Sequence, residues 1–429
     1  MINKIIVRLI CLVVVASTSG CAFLGTKRHL ELVQTKLATL EGVVTMEATN
    51  TSQIVVAVWN ARDVRAGLLT YTIMAAPGKF RLVVAAPGRY GILAFADLND
   101  DLKLNDHEPV VIVNGDGERE IMPGEMIRDI RLTIGTSRME TSGKAPIAID
   151  LSSLNPTPLE GMLGMRHSVG EVVSLSDPRF SPEHAKIGLW EPIRFLQEVG
   201  IGLYFLQPFD PRKTPVLFIH GADADPGVWR YLIEHLDHTK FQPWVYYYPT
   251  GLRLTVASEA LSGMVSELRA RHQIKTLCVV AHSMGGLVEK GFLNELKNHR
   301  SPVKIPLAVS ISTPWGGHEA AAMGIKNAPA VVPAWHDMVP GSPFIKSLWE
   351  TPFPDGTKFH LLFGYDGKYS VVMGRNNDGA VTLESELFDR AQDAACRLRG
   401  FSETHTGILS SEAVSGHLNT LLEDADRNP

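Results

Sequence analysis

Residues 279 to 288 read VVAHSMGGLV, an apolar run that ends directly in a serine and continues through two glycines. A strand that ends in Ser283 and turns straight into a helix must bend sharply at that residue. The positions two before and two after it then come close together, and both must be small; Ala281 and Gly285 meet that demand. Such a bend lifts the hydroxyl clear of the sheet's carboxyl edge and aims a helix N-terminus at the same spot. A serine hydroxyl is a weak nucleophile until a neighbouring base takes its proton, and the base needs an acid to orient it. The chemistry on offer is attack on an acyl carbonyl, provided the chain also delivers an imidazole and a carboxylate.

The surrounding elements are of the kind that position such a residue. From TPVLFIHG onward, apolar runs alternate with amphipathic segments: RYLIEHLD, WVYYYP, VASEALSGMVSELRARH, TLCVVAHS, MGGLVEKGFLNELKNH, IPLAVSIST and FHLLFGY. Strand and helix in alternation imply a parallel sheet covered on both faces. Upstream, SPEHAKIGLWEPIRFLQEVGIGLYFL reads as helical, with Ser181 as N-cap and Pro182 in the first turn. Residues 316–358, rich in Ala, Pro and Trp, break the alternation and read as a lid-like insertion.

The apolar strand, the small-residue bend and the Gly286-Leu287-Val288 helix start resemble the nucleophile elbow of α/β-hydrolases, with Ala281 in place of the usual first glycine. The resemblance covers roughly residues 215–417. It implies the α/β-hydrolase fold, a mostly parallel sheet with helices on both faces, with nucleophile, acid and histidine in that chain order. The histidines after Ser283 are His299, His318, His336, His360, His405 and His417. Because the acid and its strand come first, the last two are favoured: His405, in the polar loop GFSETHTGILSS, and His417, in the terminal helix, as the alternative. Asp378, in an Asn-Asn-Asp-Gly turn before Ala380-Val381, resembles the Asp-Gly-x-Val acid loop of bacterial lipases; Asp366, in GYDGKY, is the alternative.

An oxyanion hole requires two backbone N–H groups preset toward the developing charge. Met284, after the nucleophile, supplies one. Ala222, in VLFIHGADADPGVW, supplies the other, in a segment similar to the His-Gly loop of lipases. His220 and His282 are assigned to bracing these loops. SISTPWGG and DMVPGSPFIKSLW resemble a turn and the lid region of the same lipases. The resemblance thus implies a serine esterase or lipase acting on acyl or lipid esters through an acyl-enzyme, with no cofactor for the chemistry. Trp315, Trp335, Phe344 and Trp349 in the insertion favour an apolar acyl substrate. Two alternatives stay open: an acyltransferase on the same triad, and a catalytically inactive surface binding or adhesion protein. Peptidase activity is less favoured.

Residues 39–140 have another character. EGVVTMEA, SQIVVAVWN, LLTYTIMA, KFRLVVA, RYGILAFAD, PVVIV and IRDIRLTIG are short strand-like runs punctuated by turn residues, the pattern of a β-sandwich. Within them, DLNDDLKLNDHE places Asp97, Asn99, Asp101, Asn105 and Glu108 at positions 1, 3, 5, 9 and 12 of a calcium-loop pattern. The sixth position, normally Gly, is Leu102. The loop reads either as a structural Ca²⁺ site or as a hydrogen-bonded Asp/Asn loop without metal. Residues 141–180 read as a linker and 181–429 as the hydrolase domain.

The first residues, MINKIIVRLICLVVVASTSGC, combine Lys4 and Arg8 with an apolar stretch too short to span a bilayer. Residues 1–20 read as a secretory signal. Ser19-Gly20-Cys21 resembles a bacterial lipobox, with Thr18 where an aliphatic residue is usual. That resemblance implies acylation of Cys21, a tether over residues 21–38, and attachment to the lipid bilayer of the cell envelope; Ala22 after the cysteine points to the outer membrane. The formal net charge of −5 offers no basic field for nucleic acid. Two further cysteines, Cys278 and Cys396, are too few for a disulfide framework, though a single bridge between them is open.

Overall fold

The computed structural model describes residues 37–47, 53–61, 68–74, 76–113, 119–135, 149–151, 166–328, 331–367 and 376–427. The signal segment, Cys21 and most of the 141–165 stretch lie outside the described residues. Among those described, no helix is long and apolar enough to cross a membrane.

Each of the seven strand-like runs of the first region becomes a strand: β1 (Leu37–Met46), β2 (Gln53–Asn60), β3 (Leu68–Met74), β4 (Lys79–Ala85), β5 (Tyr90–Asp97), β6 (Val110–Val113) and β7 (Met126–Ile134). They form two sheets, ordered β4-β1-β7 and β3-β2-β5-β6. Val44, Leu82 and Leu132 of the first sheet pack against Ile54, Val56 and Ile92 of the second. The opposite face of the second sheet, with Val55, Trp59 and Phe95, is covered by Leu102, Ile149 and Leu151. This double coverage explains why β2 is buried almost end to end and reads as a continuous apolar run.

The second region is an eight-stranded sheet, ordered β15-β14-β13-β12-β10-β11-β9-β8. Its strands are β8 (His167–Val172), β9 (Ile201–Phe205), β10 (Thr214–Ile219), β11 (Phe241–Tyr247), β12 (Cys278–His282), β13 (Leu307–Ile311), β14 (Lys358–Gly364) and β15 (Arg397–Phe401). Neighbours are parallel except at β9–β11. The helices are α1 (Pro182–Trp190), α2 (Pro192–Glu198), α3 (Arg230–Glu234), α4 (Leu254–His272), α5 (Met284–Asn298), α6 (Glu319–Asn327), α7 (Pro333–Met338), α8 (Pro343–Leu348), α9 (Leu383–Glu386), α10 (Asp389–Ala394) and α11 (Glu412–Arg427). Alternate residues of the central strands go to opposite faces. Leu217, Val279 and Ala281 meet α4 and α5, while Val216, Phe218 and Val280 meet α3 and α11.

Three expectations change. The region read as a linker over 141–180 contains β8, an edge strand paired with β9; its six residues HSVGEV lack the apolar run that would mark a strand. The long helical reading after Ser181 holds for α1 and α2, which break at Glu191-Pro192, but its end becomes strand β9. Gly200, at φ +98°, ends the helical run, and apolar, aromatic residues then enter the sheet. The 316–358 insertion is built of α6, α7 and α8; its Phe344 and the Trp315 just before it belong to the core, with Trp315 fully buried. Asp337, also buried, fastens it by accepting from the Arg253 guanidinium at 2.6–2.9 Å and from Leu254 N at 2.7 Å.

Candidate active site

In chain order, β10 is followed by β11 on one side of it and then by β12 on the other. The loops leaving the carboxyl ends of β10 and β12 diverge, opening the crevice in which such sheets place ligands. Ser283 stands there, between β12 and α5, at φ +55° and ψ −132°. A non-glycine residue in that conformation is strained, and the fold holds it by hydrogen bonds from Ser283 N to Ile311 O (2.9 Å) and from Gly286 N to Ser283 O (3.0 Å). The demand for small neighbours is met in space. A Cβ on Gly285 would lie 2.6 Å from the His220 carbonyl oxygen, and one on Gly221 would lie 2.8 Å from Ser283 Cβ.

His405 arrives from the loop after β15. Its Nε2 lies 2.9 Å from Ser283 Oγ and its Nδ1 lies 2.5 Å from Asp378 Oδ2. Asp378 is fully buried, and its second oxygen accepts from Ala380 N at 2.9 Å and Val381 N at 2.7 Å. Burial alone would raise this carboxyl, but the His405 hydrogen bond and the two N–H donors outweigh it and hold it below the usual carboxylate range. The two loops are also tied through backbone, His405 N donating to Asp378 O at 2.7 Å.

The alternatives lie elsewhere. Asp366 is exposed, and His417, on α11, meets Arg399 Nη1 through Nδ1 at 2.9 Å. His282 is a brace: its Nε2–H donates to the His405 carbonyl at 2.8 Å, and burial pushes its imidazole down to about 3, so it stays neutral. His220 stacks on Tyr248 with ring centroids 4.7 Å apart and meets Gly221 O through Nδ1 at 2.9 Å; burial lowers it to about 4. The Tyr248 hydroxyl donates to His220 O at 2.9 Å, fixing the loop that carries Gly221 and Ala222 beside Ser283. Met284 opens α5, where a first-turn N–H has no intrahelical acceptor.

Two residues near the site have roles that the sequence did not show. His318 links the insertion to the acid loop, its Nε2–H donating to Ala380 O at 2.9 Å. Glu386 is buried, with one oxygen within 4.8 Å of ligand atoms of Asp378 and His405. In the sequence it looks like an exposed first-turn acid after the N-cap Thr382, and no local signal marks it as buried.

In the calcium-pattern loop the two buried acids accept hydrogen bonds from neighbouring donors. Asp97 accepts Asp101 N (3.1 Å) on one oxygen, and Leu102 N and Gln53 Nε2 (both 3.0 Å) on the other. Glu108 accepts Leu98 N (2.8 Å) and Asn105 N (2.9 Å). Asn99 and Asn105 donate to Asp101. Leu102 adopts φ +60° where glycine is customary and inserts its side chain into the core. Among the described residues, Asp378, Glu386 and His405 are the group of three ligand-type side chains close enough to share an ion, and within it His405 already bridges Asp378 and Ser283. Cys278 is buried, Cys396 is exposed, and both are free thiols.

No protein-family model matches the chain, and no curated protein matches it. Among solved structures, the mature lipase BlEst2 of Bacillus licheniformis is similar at 16% identity and a TM-score of 0.40, over 52% of this chain and 97% of that one. A carboxylesterase structure from Nitrososphaera gargenis is similar at 13% identity and 0.37, over 53% and 97% respectively. Lipase B of Aspergillus fumigatus is similar at 14% and 0.39, over 52% and 57%. These neighbours are lipases and esterases.

Proposed function

We propose that the chain is a serine hydrolase of the α/β-hydrolase fold that cleaves carboxylic esters with acyl or lipid character. One observation carries this reading: a strained serine whose Oγ lies 2.9 Å from His405 Nε2, with the other ring nitrogen on a buried carboxylate. His405 Nε2 takes the Ser283 proton as Oγ attacks the ester carbonyl, and returns it to the leaving alkoxide. Asp378 holds the Nδ1–H tautomer and stabilises the imidazolium. The N–H groups of Ala222 and Met284 receive the oxyanion, each worth roughly 3–4 kcal/mol in the transition state. Water, activated by the same imidazole, then releases the acyl group. An alcohol in place of water would make the chain an acyltransferase.

The apolar-substrate argument is narrower than the sequence implied, because Trp315 and Phe344 are core residues, leaving the half-buried Trp335 and Trp349. The N-terminal segment motivates the companion proposal of a signal peptide and an acylated Cys21 that anchors the protein at the outer membrane.

A fluorophosphonate probe on the purified chain tests the enzyme reading. The wild type labels and Ser283→Ala does not, with kcat on an activated ester falling on the order of 10⁶-fold. A folded wild type that neither labels nor turns over would leave the inactive binding protein as the better account. Product analysis with added alcohol separates hydrolysis from transfer, and incorporation of labelled palmitate, lost in Cys21→Ser, checks the anchor.

A further inference from the structure

The short helix α9 ends in a carboxyl group that the reaction above does not use. Glu386 is fully buried, and no N–H donor reaches either of its oxygens. An oxygen of Glu386, an oxygen of Asp378 and a ring nitrogen of His405 all lie within 4.8 Å of one another. The polar groups that act on it are the Asp378 carboxylate and the Ser312 hydroxyl. Ser312, held at φ +48°, accepts Gly364 N at 3.2 Å, which leaves its own hydrogen to donate. The helix is pinned in place: Thr382 Oγ1 caps it through Ser385 N at 3.3 Å, and Gly316 N donates to Ser385 O at 2.9 Å.

Two carboxyl groups this close in a dry site do not both ionise; one keeps the proton. Asp378 is committed as an anion to His405 and to two backbone N–H groups. The proton therefore resides on Glu386, and burial followed by the Asp378 charge pushes that carboxyl up to about 10. The nearby imidazoles of His282 and His318 are both lowered by burial, so neither supplies a compensating cation.

We propose that Glu386 is a positioning residue of the Ser283 site, whose un-ionised carboxyl donates a hydrogen bond to Asp378 and holds that carboxylate in line with His405. The inference rests on the hydrolase reading above. The bond adds a restraint on Asp378 to that of its two backbone donors. It also withdraws charge from the carboxylate, which tempers the basicity of His405. A small rotation of the imidazole away from Ser283 Oγ is enough to slow attack about 100-fold.

Two variants of the full chain separate this role from mere packing. Glu386→Gln keeps a neutral N–H donor; its kcat stays within about threefold of wild type and the acidic limb of its kcat/KM profile does not move. Glu386→Leu removes the donor; its kcat falls ~10- to 100-fold at unchanged KM, and the acidic limb moves to higher pH because Asp378 regains its full charge. Were Glu386 ionised, Glu386→Gln would instead move that limb to lower pH, which overturns the proposal, as does a Leu variant with wild-type kinetics. Infrared spectra of glutamate-labelled protein decide the same question without turnover, even if Glu386→Leu does not fold. The buried Glu289 also carries a raised carboxyl, so the readout is the wild-type minus Glu386→Gln difference spectrum at pH 8: it contains a protonated-carboxyl band, and absence of that band from the difference sinks the inference. Failure of the wild type to label with fluorophosphonate bears on the hydrolase reading instead, and leaves the infrared result standing.

Discussion

Two loops in this molecule bury an aspartate and tie it to the backbone, and they end in opposite roles. Asp97 uses both oxygens on its own neighbourhood: Asp101 N on one, Leu102 N and Gln53 Nε2 on the other. Asp378 gives one oxygen to Ala380 N and Val381 N and leaves the other for His405. Both side chains are out of solvent. Burial raises the Asp97 carboxyl despite its hydrogen bonds, whereas at Asp378 the histidine and the N–H donors overcome burial and lower it. A turn aspartate is thus a structural device by default. It becomes available to orient an imidazole when one oxygen is kept free and a histidine is brought to it, as at Asp378.

Substitution of the two acids separates those roles. Asp378→Asn is expected to lower kcat on the order of 10⁴-fold, because the amide favours the wrong imidazole tautomer. Asp97→Asn should leave kcat/KM unchanged and lower unfolding stability by ~1–3 kcal/mol, because its NH₂ faces backbone donors that lose their acceptor. Urea unfolding and ester turnover, measured on both variants, give a two-by-two answer. If Asp97→Asn cost activity as heavily as Asp378→Asn, the contrast would be void. A rise in Tm of the wild type on adding Ca²⁺, absent in Asp97→Asn, would show the loop exchanging its N–H donors for a cation. The hydrogen-bonded form predicts no such rise.

What could be read from the sequence follows from how local each signal is. The bend at Ser283 is specified by residues within two positions of it, so Ala281, Gly285 and the strand before them were sufficient. Asp378 was legible because its turn residues and the Ala380-Val381 pair that supplies its N–H donors are contiguous. The seven sandwich strands carry their own apolar runs and turn punctuation. Strand β8 was not legible, because an edge strand of mixed residues draws its definition from the partner β9. Glu386 was hidden for the same reason: what buries it is the convergence of α9 with Ser312 and the His405 loop, far apart in the chain. Leu102 shows the converse, a departure from a pattern that makes sense once its side chain is seen in the core beneath the sheet.

A smaller effect sharpens the reactive side of the comparison. The His405 loop is held by Asp378 and also by His282, whose Nε2–H meets the His405 carbonyl. His282→Phe keeps a ring in the space but strands that carbonyl. The expected result is a loss of ~1 kcal/mol in stability and a kcat about tenfold lower with KM unchanged. The tenfold step, set beside the 10⁴-fold step for Asp378, measures the difference between bracing the imidazole and orienting its proton.

The smallest effect concerns an acid that belongs to neither class and sits where the two halves of the molecule meet. Glu259, on α4, receives Arg81 Nη1 of β4 at 3.1 Å, while Arg81 Nε reaches Glu41 Oε1 at 2.8 Å. Burial first, with Glu295 and Glu41 adding repulsion and Arg81 opposing them, raises its carboxyl to about 7. Because the folded value lies above the unfolded one, its stabilising contribution is fully present below about pH 4.5 and is lost as pH rises through 7. Glu259→Gln removes that dependence. Between pH 5 and pH 8 the Tm of the wild type, taken relative to Glu259→Gln, should therefore fall. The side chain remains 34% exposed, so the shift corresponds to less than about 1 kcal/mol, or roughly 1–3 °C. A rise over the same interval would mean that the Arg81 pair dominates burial, and that Glu259 behaves like Asp378 instead of Asp97. Ester turnover should be untouched in either case, since α4 supplies packing to the Ser283 site and no group to its chemistry.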